Sequence, residues 1–244
     1  MTLGGRTGQS FPPVERSHLE VNATKPKAVV SWSTGKDSAW ALRETVRRGE
    51  IDVVGLLATV TKRFERVSMH GVRAELLERQ ASAVGLPLRK VEIPSPCPNE
   101  VYDQEMANAV AAMEAEGVSR LVFGDLFLRD IRAYREARLA STRIRPTFPL
   151  WGRHTSELAQ EMVRDGIEAH VVCLDPRKLP KEFAGRSFDR RFLDDLPPSV
   201  DPCGENGEFH TFVSFGPMFS HRIPVARGAT VERDGFVFSD LTAA

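Results

Sequence analysis

Apolar positions along the chain fall into short solid runs separated by longer amphipathic stretches. Residues 27–32 (KAVVSW), 51–60 (IDVVGLLATV), 120–124 (RLVFG) and 167–174 (IEAHVVCL) are apolar runs of strand length, and residues 88–93 read as a further strand. Between and beside them, residues 37–48, 72–84, 100–116, 129–142 and 155–164 carry helical patterning. Gly49, Gly85, Gly117 and Gly166 stand where four of those helices should stop. Strands that are apolar on both faces belong inside a parallel sheet covered by helices on both sides. The pattern predicts an α/β fold with a doubly wound, mainly parallel five-stranded sheet of Rossmann-like type, its crossovers right-handed.

The texture differs at the two ends. Residues 1–25 are rich in Gly, Ser, Thr, Pro and charge and show no period, which predicts a flexible tail. After Pro176, residues 178–196 read as two short helices, and residues 209–215 and 231–238 alternate as strands. The expected organisation is a tail over 1–25, a nucleotide-binding domain over 26–175 and a small C-terminal α+β extension over 176–244 on the substrate side. A length of 244 residues is enough for one such α/β domain with a substantial core.

Composition narrows the classes of function. Lys plus Arg and Asp plus Glu are 33 each, so nothing in the overall charge draws the chain to nucleic acid. The three cysteines, Cys97, Cys173 and Cys203, are far apart and form no C-x-x-C pair. That argues against a disulfide scaffold, a zinc site or an iron–sulfur cluster. No apolar stretch approaches the length of a membrane span. The expectation is a cytoplasmic protein.

The strongest local signal is Ser33-Thr34-Gly35-Lys36-Asp37-Ser38, set between the first strand and the first helix. Ligands in open α/β sheets bind at the carboxyl ends of strands, and a helix N-terminus offers unpaired N–H groups suited to phosphate. Gly35 permits close approach, Ser33 and Ser38 supply hydroxyls, and Lys36 can offset phosphate charge if it points at the ligand. Asp37 can orient the loop or help hold Mg²⁺ through the phosphates. The spacing is not that of a Walker loop, because no Gly lies five residues before Gly35. The alternative is a Ser/Asp helix cap without a ligand.

The loop resembles the S-G-G-x-D-S loop of the PP-loop ATP pyrophosphatases, with Thr34 in place of a Gly. Further stretches resemble the diphthine–ammonia ligase family within that superfamily: Gly124-Asp125-Leu126 at the end of the fourth strand, Arg132 and Glu136 on the next helix, Pro149-Leu150-Trp151 with Glu157-Leu158, and the block Gly204-Glu205-Asn206-Gly207-Glu208-Phe209-His210-Thr211-Phe212. The likeness covers about residues 27–225. Leu128-Arg129-Asp130-Ile131 departs from the family's Ser-acid-Tyr-Gln, and Asn206 and His210 replace Gly and Glu. In these the chain resembles the bacterial branch. In a bacterial member diphthine would be absent and the acceptor would differ.

The resemblance implies a PP-loop, HUP-like fold and an ATP-dependent, AMP-forming carbon–nitrogen ligase. ATP with Mg²⁺ would bind at Ser33, Thr34, Gly35, Lys36, Asp37 and Ser38, with His70, Gly124 and Asp125 nearby. Lys36, Asp37, Glu205 and Glu208 would carry the chemistry, the two glutamates serving the amine. The implied partners are a small-molecule or protein carboxylate and ammonia or another amine. No membrane is implied, nucleic acid is disfavoured, and a homo-oligomer is compatible. From the residues alone, Glu205 and Glu208 also read as a solvated acidic turn, Asp125 as a helix cap, His70 as structural, Cys97 as an inert thiol and Trp151 as packing. Two rival functions are a tRNA-modifying enzyme of the same superfamily and a nucleotide-binding regulatory module without chemistry. On the ligase reading, Asp37→Ala is expected to abolish turnover and leave the fold intact.

Overall fold

The computed structural model describes residues 24–244, so the tail read over residues 1–25 lies almost wholly outside them. The first sheet is built from β1 (Lys27–Ser31), β2 (Asp52–Thr61), β3 (Arg66–Val67), β4 (Leu88–Ile93), β5 (Val118–Val122) and β6 (Arg145–Thr147). Five of these strands are parallel, in the order β4-β2-β1-β5-β6, and β3 adds a two-residue antiparallel pairing at the end of β2. The helices are α1 (Lys36–Arg48), α2 (Ala74–Val84), α3 (Asn99–Ala115), α4 (Arg129–Leu139), α5 (Thr155–Arg164) and α6 (Arg190–Asp195).

The double winding is visible in single strands. Ala28, Val30 and Trp32 enter one core with residues of α1, α2 and α5, while Val29 between them enters a second core with residues of α3. Leu56, Ala58 and Val60 likewise face the first core and Leu57 the second. Side chains alternate across a strand, so a run apolar at every position fills both sides.

A second sheet, wholly antiparallel, runs β8-β7-β10-β9, from β7 (Glu168–Leu174), β8 (Phe209–Phe215), β9 (Val225–Arg233) and β10 (Phe236–Ala243). Here one assignment is corrected. The run 167–174 is not the fifth parallel strand; as β7 it pairs antiparallel with β8 and β10. It is apolar because it lies inside the second sheet, and burial on both faces cannot say which sheet does the burying. The fifth parallel strand is β6, three residues long with Pro146 in its middle. A proline is tolerated there because β6 is an edge strand, with no neighbour needing its missing N–H. The strand read over 231–238 is the junction of a hairpin, split by Asp234-Gly235 into the end of β9 and the start of β10. Among the described residues, no helix is long and apolar enough to cross a membrane.

Candidate active site

The loop after β1 is held from three sides. Thr34 takes the left-handed φ of +72° and is fully buried. A threonine costs about 1–2 kcal/mol in that conformation, so its surroundings must impose it. They do so through its carbonyl, which accepts from the Val213 N–H at 3.0 Å and from Gln80 Nε2 at 3.0 Å. Thr34 thereby adopts a backbone for which glycine is the usual residue. Ser38 Oγ accepts from the Ser33 N–H at 3.3 Å and donates to the Gly35 carbonyl at 2.9 Å, closing the loop on the first turn of α1.

Close approach explains Gly35 and Gly124. A Cβ on Gly35 would stand 2.8 Å from His70 Cε1 and 3.2 Å from the Thr211 carbonyl. A Cβ on Gly124 would meet the Asp37 backbone at 2.7 Å and the Ser38 nitrogen at 2.9 Å. The end of β5 therefore rests directly on the start of α1.

Gln80 is a part of the site that periodicity could not reveal. It sits fully buried on the apolar face of α2, accepts from Trp32 Nε1 at 2.7 Å and donates to the carbonyls of Thr34 and Val213 at 3.0 and 2.7 Å. One side chain thus ties β1, the loop and β8 together. Each buried group left unpaired costs about 1–3 kcal/mol. Gln80→Leu is therefore expected to lower the urea midpoint clearly, whereas Gln80→Glu at a pH that keeps it protonated recovers part of the loss.

Lys36 does not face the cleft. Its side chain is 1% exposed, and Nζ donates to Asp37 Oδ2 at 2.9 Å and to the Cys203 carbonyl, beneath the rings of Phe188 and Phe209 at 5.5 and 5.2 Å. Its backbone N–H donates to Thr211 Oγ1 at 3.1 Å. Burial pulls the Lys36 pKa down, but the surrounding negative groups, Asp37 first among them, together hold it above the ordinary lysine value. Burial raises the pKa of Asp37, partly offset by Lys36. Asp37 still opens to solvent with 29% of its side chain, while Oδ1 is buried without a partner among the described residues.

The block at residues 204–212 approaches this loop from the second sheet. Asp201 Oδ1 accepts from the N–H groups of Cys203 and Glu205 at 3.0 and 3.1 Å and shapes the turn. Glu205 reaches across to accept from the N–H of Leu126 at 2.7 Å and of Phe127 at 3.3 Å, just beyond the end of β5. Burial, and then the nearby charge of Asp37, push its carboxyl up to about 7. Glu208 goes elsewhere: it is 2% exposed, and Oε1 accepts from the Asp201 N–H and from Asn206 Nδ2, both at 3.1 Å. The two glutamates do not form a pair. Asp125, at the β5 end, is taken by Arg135 in a bidentate ion pair at 2.6 and 3.0 Å.

His70 lies against Gly35 and stacks on His210 with ring centroids 4.6 Å apart. Burial and the neighbouring ring hold His70 well below the usual histidine range, and burial with Lys36 brings His210 down to about 4. Both rings are neutral at pH 7. Arg132 caps Trp151 and Phe148 at 4.6 and 4.8 Å, and the two rings pack edge to face at 5.9 Å. Cys203 is buried with its thiol pushed up, and Cys97 is half-buried in the segment after β4.

The same halves are found by comparison with known proteins. The family model of the diphthamide synthase N-terminal domain matches residues 26–140, and that of the C-terminal domain matches residues 154–238. The chain is 25% identical over 235 residues to the diphthine–ammonia ligase of Bos taurus, covering 86% of each chain. It is 26% identical over 233 residues to that of Danio rerio, covering 86% of this chain and 90% of the relative. The human diphthine–ammonia ligase is 24% identical over 236 residues. Matched in both of its halves, the chain belongs to the diphthamide synthase family, that of the diphthine–ammonia ligases.

Proposed function

We propose that the protein is an ATP-dependent, AMP-forming ligase that joins a carboxylate to ammonia or another amine. The observation that carries this reading is the reach of Glu205, from the turn before β8, to the Leu126 N–H beside Gly124, which itself rests on the Asp37 backbone of the phosphate-type loop. Two buried oxygens at that loop, Thr34 Oγ1 and Asp37 Oδ1, have no partner among the described residues, which fits a loop made for a bound phosphate and its counter-ion. Among the described residues no group of three or more His, Cys, Asp or Glu is placed to hold a metal. One carboxylate with substrate phosphates is the usual way Mg²⁺ is held, so Asp37 alone is compatible with it. The ion would neutralise charge on the leaving pyrophosphate.

On this reading the loop N–H groups, Ser33 and Ser38 bind the β and γ phosphates of substrate ATP. An acceptor carboxylate oxygen attacks the α phosphorus, and the bond to the β-phosphate oxygen breaks with release of pyrophosphate. The amine nitrogen then attacks the acyl carbon, AMP departs with the electrons of the acyl C–O bond, and Glu205 takes the proton lost from nitrogen. Lys36 positions Asp37 and the turn bearing Glu205 rather than touching phosphate. Glu208 and the Asp201 backbone fix that turn. The protein's part is mainly positioning and electrostatics. The test is pyrophosphate release from ATP in the presence of ammonium and pools of carboxylic acids. Release that depends on one pool supports the reading, and absence of release with every pool counts against it.

A further inference from the structure

The N–H groups of Leu126 and Phe127, consecutive in the chain just beyond β5, converge on a single oxygen, Glu205 Oε1, at 2.7 and 3.3 Å. Two backbone donors aimed at one point form a pocket for a carbonyl oxygen or an oxyanion. We infer that this pair of N–H groups is the subsite for the reacting carboxyl oxygen of the acceptor, and that Glu205 Oε1 fills it as a stand-in for that oxygen. The inference rests on the ligase reading, to which it adds the place where the acceptor's carboxyl group is held.

Position supports it first. Gly124, two residues before Leu126, rests on the Asp37 backbone and the Ser38 nitrogen. A carboxyl group held at Leu126 therefore lies beside the loop that would present the phosphates of ATP. Leu126 is buried, but Phe127 is 38% exposed, so the pocket is reached from solvent on that side.

Glu205 is also free to leave. Its turn is held without its side chain: Asp201 Oδ1 accepts from the Cys203 and Glu205 N–H groups, Asp201 Oδ2 accepts from the Thr155 hydroxyl, and Glu208 Oε1 accepts from the Asp201 N–H. The bond to Phe127 is long for an N–H donor. Burial, then the charges of Asp37 and Asp125, raise the Glu205 carboxyl to about 7, so near neutral pH it is ionised only in part. An uncharged carboxyl accepts hydrogen bonds more weakly than a carboxylate. Of the other charges nearby, Lys36 favours an anion in the pocket, and Arg135 is committed to Asp125.

The chemistry uses both halves of the exchange. In amide formation the amine nitrogen bonds to the acyl carbon, and the C=O electrons move onto the oxygen held by the two N–H groups. They return as the C–O bond to AMP breaks. Glu205, displaced from the pocket, takes the proton lost from nitrogen.

The experiment follows backbone amide signals of the full chain by NMR, with acetate as the probe and chloride at equal ionic strength as the blank. Glu205→Ala empties the pocket. Acetate is expected to bind this variant at least about tenfold more tightly than wild type or Glu205→Gln, in which a side-chain oxygen accepts from the two N–H groups. The bound acetate should move the Leu126 and Phe127 signals most. If thermal unfolding shows that Glu205→Ala does not fold, Glu205→Ser carries the same comparison. Equal acetate affinity in all the proteins, or binding that leaves those two signals unmoved, would overturn the inference. Failure of the ligase reading looks different. Acetate seated in the emptied pocket, with no AMP formed from ATP and any carboxylic acid by wild type, would uphold the pocket and count against the ligase. AMP and amide formed by wild type, with acetate never reaching the two N–H groups in the variant, would uphold the ligase and remove the pocket from it.

Discussion

Asp37→Ala is expected to lose turnover and stability together. The turnover loss follows from its place on the loop: removing one preorganised electrostatic group from an active site typically costs about 100- to 1,000-fold in rate. The stability loss follows from Lys36. With Asp37 gone, a side chain 1% exposed carries a positive charge with, among the described residues, the Cys203 carbonyl and two ring faces as its direct partners. Breaking one side of a buried pair costs about 3–5 kcal/mol when both partners are fully enclosed. The 29% exposure of Asp37 puts the expected loss at the lower end. Read from the sequence, this substitution should spare the fold, because sequence alone does not place Lys36 inside. The double variant Asp37→Ala/Lys36→Met separates the two effects. Thermal unfolding should recover most of its stability, and turnover should stay lost. Recovery of turnover in the double variant would remove Asp37 from the chemistry.

Glu205→Gln is expected to lose amide formation while keeping ATP–pyrophosphate exchange. A positioned general base contributes about 100- to 10,000-fold. The amide oxygen of Gln can still accept from the N–H groups of Leu126 and Phe127, so the turn should keep its place. The pH dependence has a definite sign. Burial holds this carboxyl near 7, so wild-type product formation should rise as pH climbs through about 7, and the variant should lack that limb. The folded pKa lies above the ordinary value of 4.5. Stability linked to Glu205 is therefore full below that value and lost as pH rises through about 7. Above pH 7 the Gln variant should be at least as stable as wild type. Exchange and product formation both at wild-type level would leave Glu205 as a structural link between the sheets.

What the sequence made legible was what local pattern controls. The apolar runs located β1, β2 and β5, and helix stops at glycine located the ends of α1 and α2 closely. The loop at residues 33–38 was legible because strand, glycine and helix start are all local signals. Long-range facts were not. Nothing local says that 167–174 turns into a second sheet, or that three residues around Pro146 complete the first. Gln80 looks like an accident on an apolar helix face until its three partners from β1, the loop and β8 are seen. Glu205 and Glu208 read as a pair because they are three apart. Their separate fates are set by the Asp201 turn, which sends one to the β5 end and buries the other. Lys36 reads as a phosphate ligand by its place in the loop, and only the packing of Phe188 and Phe209 shows it turned inward.

The central claim is that ATP is cleaved between its α and β phosphates at this loop to drive amide formation. Phosphorus NMR of a reaction containing ATP, Mg²⁺, ammonium and an accepted carboxylate tests it most directly. The account predicts AMP and pyrophosphate in equal amounts, matched by amide. ADP and inorganic phosphate as the only phosphorus products would contradict it.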